Sequence, residues 1–312
     1  MREWVAGVVG GTVFMIAAVC GSQAEDWPQF RGPYANGIAL GTNIPSRFEQ
    51  PAWTRQLPGR GISSPIIVGE RLFITAASGP RQDRLHVLCF DAHTGARIWE
   101  RRFWATGRTQ CHEKTAVATP TPASDGHHLY VTFSSNDIIC LDLDGHLIWL
   151  RGITLDYPNA SNSLGMASSL LVAGNTLVAM VENDSESLTV GLSLTDGLNR
   201  WKLNRPKLAN WTSPIPLPAI SGSPAVGIQS GQGLLAIRAD TGQTLWDYAD
   251  GAATIPSAAI QGNTLYIPSH GLTALELHPS GDPPRQIWRS ARPVSYTHLR
   301  AHETNDLISY AV

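Results

Sequence analysis

The stretch Cys89-Phe90-Asp91-Ala92-His93-Thr94-Gly95-Ala96-Arg97-Ile98-Trp99 is the first copy of a pattern that recurs along this chain. A small residue is followed two positions later by a polar residue, then by a glycine turn, and finally by tryptophan. The later copies pair these glycines and tryptophans: Gly145 and Trp149, Gly197 and Trp201, Gly242 and Trp246, Gly281 and Trp288. Successive tryptophans lie 50, 52, 45 and 42 residues apart. A repeat of this length, filled with short strands, predicts a β-propeller.

Each copy is interpreted as a β-hairpin. In the first, residues 85–90 form a strand, residues 91–95 the turn, and residues 97–99 the start of the returning strand. Glycine supplies the positive φ that such short loops need. The aspartate can accept hydrogen bonds from the amides of its own turn. Tryptophan offers a large apolar surface with one polar atom, which suits the seam between two packed sheets.

The sequence before each hairpin predicts two further strands. Residues 65–68 and 72–75 flank a turn at Gly69-Glu70, and the same arrangement recurs at 122–133, 169–180 and 258–267, with a looser copy at 214–237. A single four-stranded sheet cannot bury both of its faces, so neighbouring sheets must stack. We therefore predict an all-β propeller of four-stranded antiparallel blades, with five blades in residues 61–293.

The pattern A-x-D-x-x-T-G-x-x-x-W resembles the repeat of the pyrroloquinoline-quinone (PQQ) type β-propellers. The first copy matches it nearly throughout, and residues 236–246 match it except at Arg238. The resemblance covers residues 50–290. The family includes quinoprotein alcohol dehydrogenases and the lipoprotein propeller of the outer-membrane β-barrel assembly machine. Residues 26–33 and 156–169 also look like the PQQ-like repeat proteins of planctomycete-type bacteria.

Members of that family commonly have about eight blades. The resemblance therefore implies that the five blades form an unclosed array, truncated from a longer one. A strand at residues 52–57, with Trp53 in the position of a closing tryptophan, would complete a last blade. Residues 25–60 as a whole are predicted to form an N-terminal plug and this first strand.

Residues 1–24 predict a cleaved signal peptide. Arg2 precedes an apolar run at 5–19, and Ser22-Gln23-Ala24 is a small-x-small cleavage site. The run is short for a bilayer span, so the mature chain is expected to have none and to be periplasmic or secreted. Two alternatives are a lipoprotein acylated at Cys20 and an uncleaved membrane anchor. At the other end, residues 295–304 look like a translated adapter, which predicts a non-native or disordered tail at 294–312 on a truncated chain.

Charge and cysteine content exclude several classes of function. The formal net charge is −2, charged residues make up 15% of the chain, and no basic patch points to nucleic acid. Cys89 and Cys140 occupy the small position of their repeats, where a buried, apolar role is expected. Cys111 lies in a loop and is a candidate reactive thiol or ligand. The chain has neither a C-x-x-C-H haem site nor the adjacent cysteine pair of the quinoprotein alcohol dehydrogenases.

Candidate site residues lie in two long connections, 101–118 and 151–167, which should share one face of the propeller. Long polar loops on a rigid scaffold are where binding residues concentrate. Strand starts rich in Ser and Thr, such as 63–65 and 212–214, should ring the channel mouth. The candidate cofactor-binding residues are His112, Glu113, Lys114, Asp156, Tyr157, Asn159 and Asn162. The alternative is that the first three belong to a solvated loop and the others to a turn network.

The pattern favours a non-catalytic scaffold of the cell envelope that binds a protein or a small polar ligand at the channel mouth. The alternative, implied by the resemblance, is a PQQ- and Ca²⁺-dependent quinoprotein dehydrogenase that oxidises alcohols or sugars. The sequence offers no identifiable calcium ligand set, which favours the scaffold and leaves enzymatic activity an open question.

Overall fold

A computed structural model describes residues 26–39, 47, 50–161 and 163–291 of the chain. Its strands form five four-stranded antiparallel sheets, and each sheet uses four strands that are consecutive in sequence. Blade 1 contains β1–β4, at Ile66–Val68, Arg71–Ser78, Arg84–Asp91 and Arg97–Trp104. Blade 2 contains β5–β8, at Ala123–Ser124, His128–Thr132, Asp137–Asp142 and Leu147–Gly152. A short helix, α1, follows at Ile153–Asp156.

The remaining three blades repeat the same topology. Blade 3 contains β9–β12, at Leu171–Ala173, Thr176–Val181, Leu188–Ser193 and Asn199–Asn204. Blade 4 contains β13–β16, at Ile215–Ile220, Ser223–Ser230, Gly233–Arg238 and Thr244–Tyr248. Blade 5 contains β17–β20, at Ala259–Gln261, Thr264–Ile267, Leu272–Glu276 and Arg285–Ser290. The predicted all-β class and four-stranded blades are confirmed, and the five blades do not close into a ring.

The hairpin predicted from the repeat is present in every blade. In blade 1, Asp91 Oδ1 accepts hydrogen bonds from the amides of His93 and Thr94, at 3.1 and 2.7 Å, and so closes the turn. Cys89 is paired with Trp99, and the register shifts immediately after this pair. The same shift follows the small residue of the other four copies, at Cys140, Gly191, Ala236 and Ala274.

Each of the first three repeat tryptophans packs against the next blade. A Cβ atom placed on Gly145 would lie 2.8 Å from the Trp99 ring, so only glycine fits beneath the indole. The Trp99 Nε1–H also donates to the carbonyl of Leu143 in the same turn, at 2.9 Å. Trp149 and Trp201 make the equivalent bonds to blades 3 and 4, at 2.9 and 2.8 Å. We call this contact the tryptophan joint.

The fifth copy departs from this geometry. Gly281 lies against Ile220, whereas Trp246 is buried in the apolar cluster between blades 4 and 5. Three extra residues separate Gly281 from Trp288, which changes the turn that would receive the indole. Trp288, on the outer strand of blade 5, is 42% exposed, against 8% for Trp99.

The strand predicted at residues 52–57 does not form, since residues 51–59 have no strand conformation. The described part of the chain places no other strand beside this segment to complete a ladder. Trp53 nevertheless makes a tryptophan joint with blade 1, because it packs on Gly95 and its Nε1–H donates to the Ala92 carbonyl at 2.9 Å. Arg55 adds a 2.7 Å bond from Nε to the Gly95 carbonyl.

Residues 26–35 pack across the inner side of the array. Trp27 exchanges two backbone hydrogen bonds with Ile67 on the inner strand of blade 1, at 2.9 and 3.0 Å. Ser124 N of blade 2 donates to the Pro28 carbonyl at 2.8 Å, and Arg31 donates to the Ala258 carbonyl of blade 5 at 2.9 Å. The segment therefore connects three blades at their inner side, and the Arg31 guanidinium makes a cation–π contact with Phe30, 5.1 Å from its ring centroid.

The predicted signal peptide, Cys20 and the tail at 294–312 lie outside the described residues. Within the part of the chain that the structure describes, no helix has the length and apolar character required to cross a bilayer.

Candidate functional site

The starts of the inner strands are linked by a chain of hydrogen bonds that passes from blade to blade. Ser64 N donates to Thr121 Oγ1 at 3.1 Å, and Thr121 N donates to Ser169 Oγ at 3.0 Å. Ser169 N then donates to Ser213 Oγ, and Ser213 N to Ser257 Oγ, both at 2.9 Å. The polar strand starts therefore fix neighbouring blades to one another, and their hydroxyl groups are occupied as acceptors.

Three connections between blades pack into one surface, which we call the loop face: residues 105–118, 153–161 with 163–168, and 205–212. His112 N donates to the Leu164 carbonyl at 3.0 Å, so the first two connections touch. Trp211 Nε1 donates to the Gly165 carbonyl at 2.8 Å, which joins the third. Gly165 also lies against Cys111. The two long loops therefore do share one face, as the sequence predicts.

The first group of candidate residues forms a self-contained turn. His112 Nδ1 accepts a hydrogen bond from Lys114 N at 3.1 Å, and the His112 carbonyl accepts one from Thr115 Oγ1 at 2.9 Å. Arg60 donates to the carbonyl of Glu113 at 2.8 Å. The side chains of His112, Glu113 and Lys114 are all exposed, so the turn is fixed while its charged groups stay in solvent.

The second group faces the outer strands of blades 2 and 3. Asp156 forms an ion pair with Arg151 of β8, at 2.7 Å. Tyr157 accepts a hydrogen bond from Asn199 Nδ2 at 2.8 Å, and the Lys202 ammonium lies 4.5 Å from its ring centroid. Asn159 uses its carbonyl to accept from Ser161 N at 2.9 Å. Asn162 lies outside the described residues.

These contacts bear on whether the candidate residues could hold Ca²⁺. Calcium requires six to eight oxygen ligands that converge on one point. Among the described residues, no group of three or more His, Cys, Asp and Glu side chains could hold a metal ion. The Asp156 carboxylate is neutralised by Arg151, and the His112 turn points its charges into solvent. The described candidate residues therefore supply no cluster of acidic or histidine side chains for Ca²⁺.

The three described cysteines are free thiols with different environments. Cys89 and Cys140 are fully buried, and desolvation raises the pKa of each thiol to about 12. Cys111 is partly exposed on the loop face, where Gln82 Nε2 lies 3.7 Å from its sulfur. The predicted buried role of Cys89 and Cys140 is confirmed, and Cys111 remains the accessible thiol.

Buried carboxylates anchor the loop face, and sequence reasoning missed them. Glu182, at the end of β10, pairs with Arg205 at 2.5 Å and accepts from Asn210 Nδ2 at 2.9 Å, which fixes the third connection. Asp137, at the start of β7, accepts from Thr106 N at 3.0 Å and from Ser135 Oγ at 2.6 Å, which fixes the first. The sequence feature that could have indicated these two anchors is a carboxylate directly next to an apolar strand.

The anchored loops present apolar side chains to solvent. Leu155 is 68% exposed, and Leu164 and Leu208 are each 48% exposed. Each belongs to a connection that the preceding contacts hold in place. These three exposed apolar side chains lie on backbone that the hydrogen bonds above already order.

Comparison with known proteins places this architecture in a family. A sequence profile of the family described as outer membrane protein assembly factor BamB matches residues 49–163 and 84–270. The chain belongs to this PQQ-like repeat family. None of the curated protein sequences is significantly similar to the chain.

Solved structures share the same fold at low sequence identity. BamB from Moraxella catarrhalis is 18% identical, with a TM-score of 0.52, over 78% of this chain and 67% of that one. Quinohemoprotein alcohol dehydrogenase from Comamonas testosteroni is 15% identical, with a TM-score of 0.58, over 82% of this chain and 48% of that one. A europium-containing methanol dehydrogenase is 14% identical, with a TM-score of 0.58, over 84% of this chain and 58% of that one. The chain thus spans about half the length of these dehydrogenases, and the likeness shows the fold alone.

Proposed function

We propose that this propeller is a protein-binding scaffold of the cell envelope and that the loop face is its docking surface. The observation that carries the proposal is the set of exposed leucines on connections held in place by hydrogen bonds to one another and, for the third connection, by the buried Glu182. Because the loops are already ordered, binding a partner costs little conformational entropy. The family description as an outer membrane protein assembly factor supports the envelope as the compartment and a protein as the partner.

The chemistry of the loop face indicates what kind of partner fits. Apolar side chains at Leu155, Leu164 and Leu208 favour a partner that buries aliphatic or aromatic residues. The surrounding rim carries both signs of charge, with Lys114 and Arg108 beside Glu113 and Asp156. A mixed rim favours a specific protein surface over a uniformly charged polymer.

Site-specific photo-crosslinking in cells tests the proposal. A photoreactive residue at position 155, which is 68% exposed on the loop face, is expected to capture one discrete envelope protein. The matched control is position 198, which is 63% exposed in the β11–β12 turn at the opposite end of blade 3. Equal capture from both positions, or capture from neither, would overturn the loop face as a docking surface.

The dehydrogenase alternative is tested separately with purified protein. The scaffold proposal expects no dye reduction when PQQ, Ca²⁺ and an alcohol or aldose sugar are added. This follows because the candidate ligands do not converge among the described residues. Saturable turnover that depends on added PQQ would refute the proposal that the protein is a non-catalytic scaffold.

A further inference from the structure

Three side chains on blade 1 form a continuous hydrogen-bonded line outside the loop face. Ser78 Oγ lies 2.7 Å from His86 Nε2, and His86 Nδ1 lies 2.9 Å from Glu100 Oε1. The three residues come from β2, β3 and β4, which are neighbours in one sheet. The line therefore runs across rigid strands, which fix its geometry better than loops would.

The strand register explains how this line arises. Ser78 is paired with Arg84, Ala76 with His86, and Leu88 with Glu100. Residues directly opposite each other in a sheet share a face, and so do residues two positions apart on one strand. Ser78, His86 and Glu100 thus lie in three successive rows of the same face and meet along a diagonal.

The carboxylate determines the proton positions along the line. Arg102 and Arg97 each donate to Glu100 at 2.7 Å, and the hydrogen bond from Arg102 contributes most to lowering the pKa of Glu100 to about 2. An ionised carboxylate only accepts hydrogen bonds, so His86 Nδ1 carries the proton that faces it. Nε2 is then the acceptor, and the Ser78 hydroxyl donates to it.

Two of the three groups are buried, and the serine is the most accessible of them. The side chains of His86 and Glu100 are 5% and 8% exposed, so water does not compete for their bond. Ser78 is partly exposed, at the end of β2. The next residue, Gly79, has an amide N–H that donates to none of the described residues. A free amide after the serine is a suitable donor to a developing oxyanion.

We propose that Ser78 is a nucleophilic serine activated by His86, with Glu100 as the positioning residue, and that it takes small carboxylic esters bearing a negative charge. A nucleophile in contact with a base that a third group orients is the general arrangement for acyl transfer. Ser78 Oγ bonds to the ester carbonyl carbon as its proton passes to His86 Nε2. The imidazolium gives that proton to the leaving alkoxide as the ester C–O bond breaks. Water then bonds to the acyl carbon as one of its protons passes to the same nitrogen. The imidazolium returns that proton to Ser78 Oγ as the bond between the acyl carbon and Oγ breaks, which releases the acid and restores the serine.

The charge preference follows from the neighbours of Ser78. Arg84 is its direct cross-strand partner, and its guanidinium lies 5.4 Å from the ring centroid of Trp104. Arg102 is 70% exposed on the same face, two positions from Trp104. Because Arg102 already donates to Glu100, Arg84 beside the exposed Trp104 ring is the cation that favours an ester whose acyl or alcohol part is anionic and partly apolar.

Labelling with a fluorophosphonate, read by intact mass and peptide mapping, tests the proposal on the whole chain. Ser280 is the control, since it is exposed and its hydroxyl donates to Asp282 at 2.6 Å rather than to a histidine, and Ser78 is the residue expected to be labelled. His86→Gln should slow labelling of Ser78 by about 100-fold or more, the usual contribution of a general base. Glu100→Asp should retain part of the labelling that Glu100→Gln loses.

Ser78→Ala removes only one hydroxyl group, so the variant should fold like the parent protein. Its circular dichroism spectrum and melting temperature should match those of the parent, whereas its labelling at position 78 should disappear. Labelling of Ser78 no faster than that of Ser280 would overturn the proposal. So would an unchanged rate in folded His86→Gln, and the three residues would then be a structural contact between strands.

Discussion

Gly145→Ala tests the tryptophan joint most directly, because the structure supplies both the perturbation and its control. Gly145 has φ +83°, and an added Cβ would lie 2.8 Å from Trp99 Cδ2 and 3.0 Å from Cε2. The left-handed backbone costs a non-glycine residue about 1–2 kcal/mol. Forcing the methyl group against the indole adds about 1–3 kcal/mol, the usual cost of overpacking. Gly145→Ala should therefore destabilise the fold by about 2–5 kcal/mol.

Gly126, in the same blade, isolates the backbone contribution. Its φ is +87°, yet nothing lies within 4 Å of an added Cβ. Gly126→Ala should cost only about 1–2 kcal/mol. Urea unfolding followed by tryptophan fluorescence gives the two midpoints, and their difference reports the steric part of the joint. Since repeat arrays can unfold in steps, the midpoints of the main transition are the quantities compared.

Trp99→Ala completes the test as a double-mutant cycle. Without the indole, Gly145→Ala should cost no more than Gly126→Ala, because the clash is gone and only the backbone strain is left. Equal midpoints for Gly126→Ala and Gly145→Ala in the parent protein would refute the reasoning. They would mean that the indole moves aside freely and that the joint does not hold the blades.

The other predictions concern buried charges and thiols. Glu182→Gln should lower the free energy of unfolding by about 3–5 kcal/mol, measured by urea denaturation, because the buried guanidinium beside it loses its charge partner. The pKa of Glu100 is depressed in the fold, so its stabilisation is complete above its ordinary pKa of 4.5 and is lost as pH falls towards about 2. Melting temperatures across that range should fall less steeply in Glu100→Gln. Iodoacetamide should alkylate Cys111 in the native protein, whereas Cys89 and Cys140 should react only after unfolding, since their thiols are buried.

The fold was predictable because the residues that determine each hairpin lie within a single repeat. The residues that close the hairpin, such as Asp91 and Gly95, act within a few positions of each other. The tryptophan lies at a fixed distance beyond them, and its large apolar surface requires a second sheet. Residues 52–57 show the limit of this reasoning, since Trp53 docks as expected but a strand needs a hydrogen-bonding partner that local sequence does not supply.

The candidate site was predictable only at the level of loops. The sequence places His112 and Asp156 in long connections on one face, and the structure agrees. It does not reveal that Asp156 pairs with Arg151, or that Glu182 pairs with Arg205 across 23 positions. Both pairings lie within one blade, and they depend on how the chain turns after β8 and after β12, which the spacing of residues in the sequence does not encode. The diagonal from Ser78 to Glu100 was missed for a related reason, because it requires the exact register of three strands.

The tryptophan joint has a consequence for how such molecules diversify. Each half of the joint, indole and glycine turn, is encoded within a single module, and three successive junctions use nearly the same geometry. Duplicating or deleting a whole module leaves matching halves on either side of the change. The angle between neighbouring blades can therefore stay the same while the number of repeats changes during evolution. The connecting loops can also change one at a time, because the tryptophan joints between blades do not depend on them.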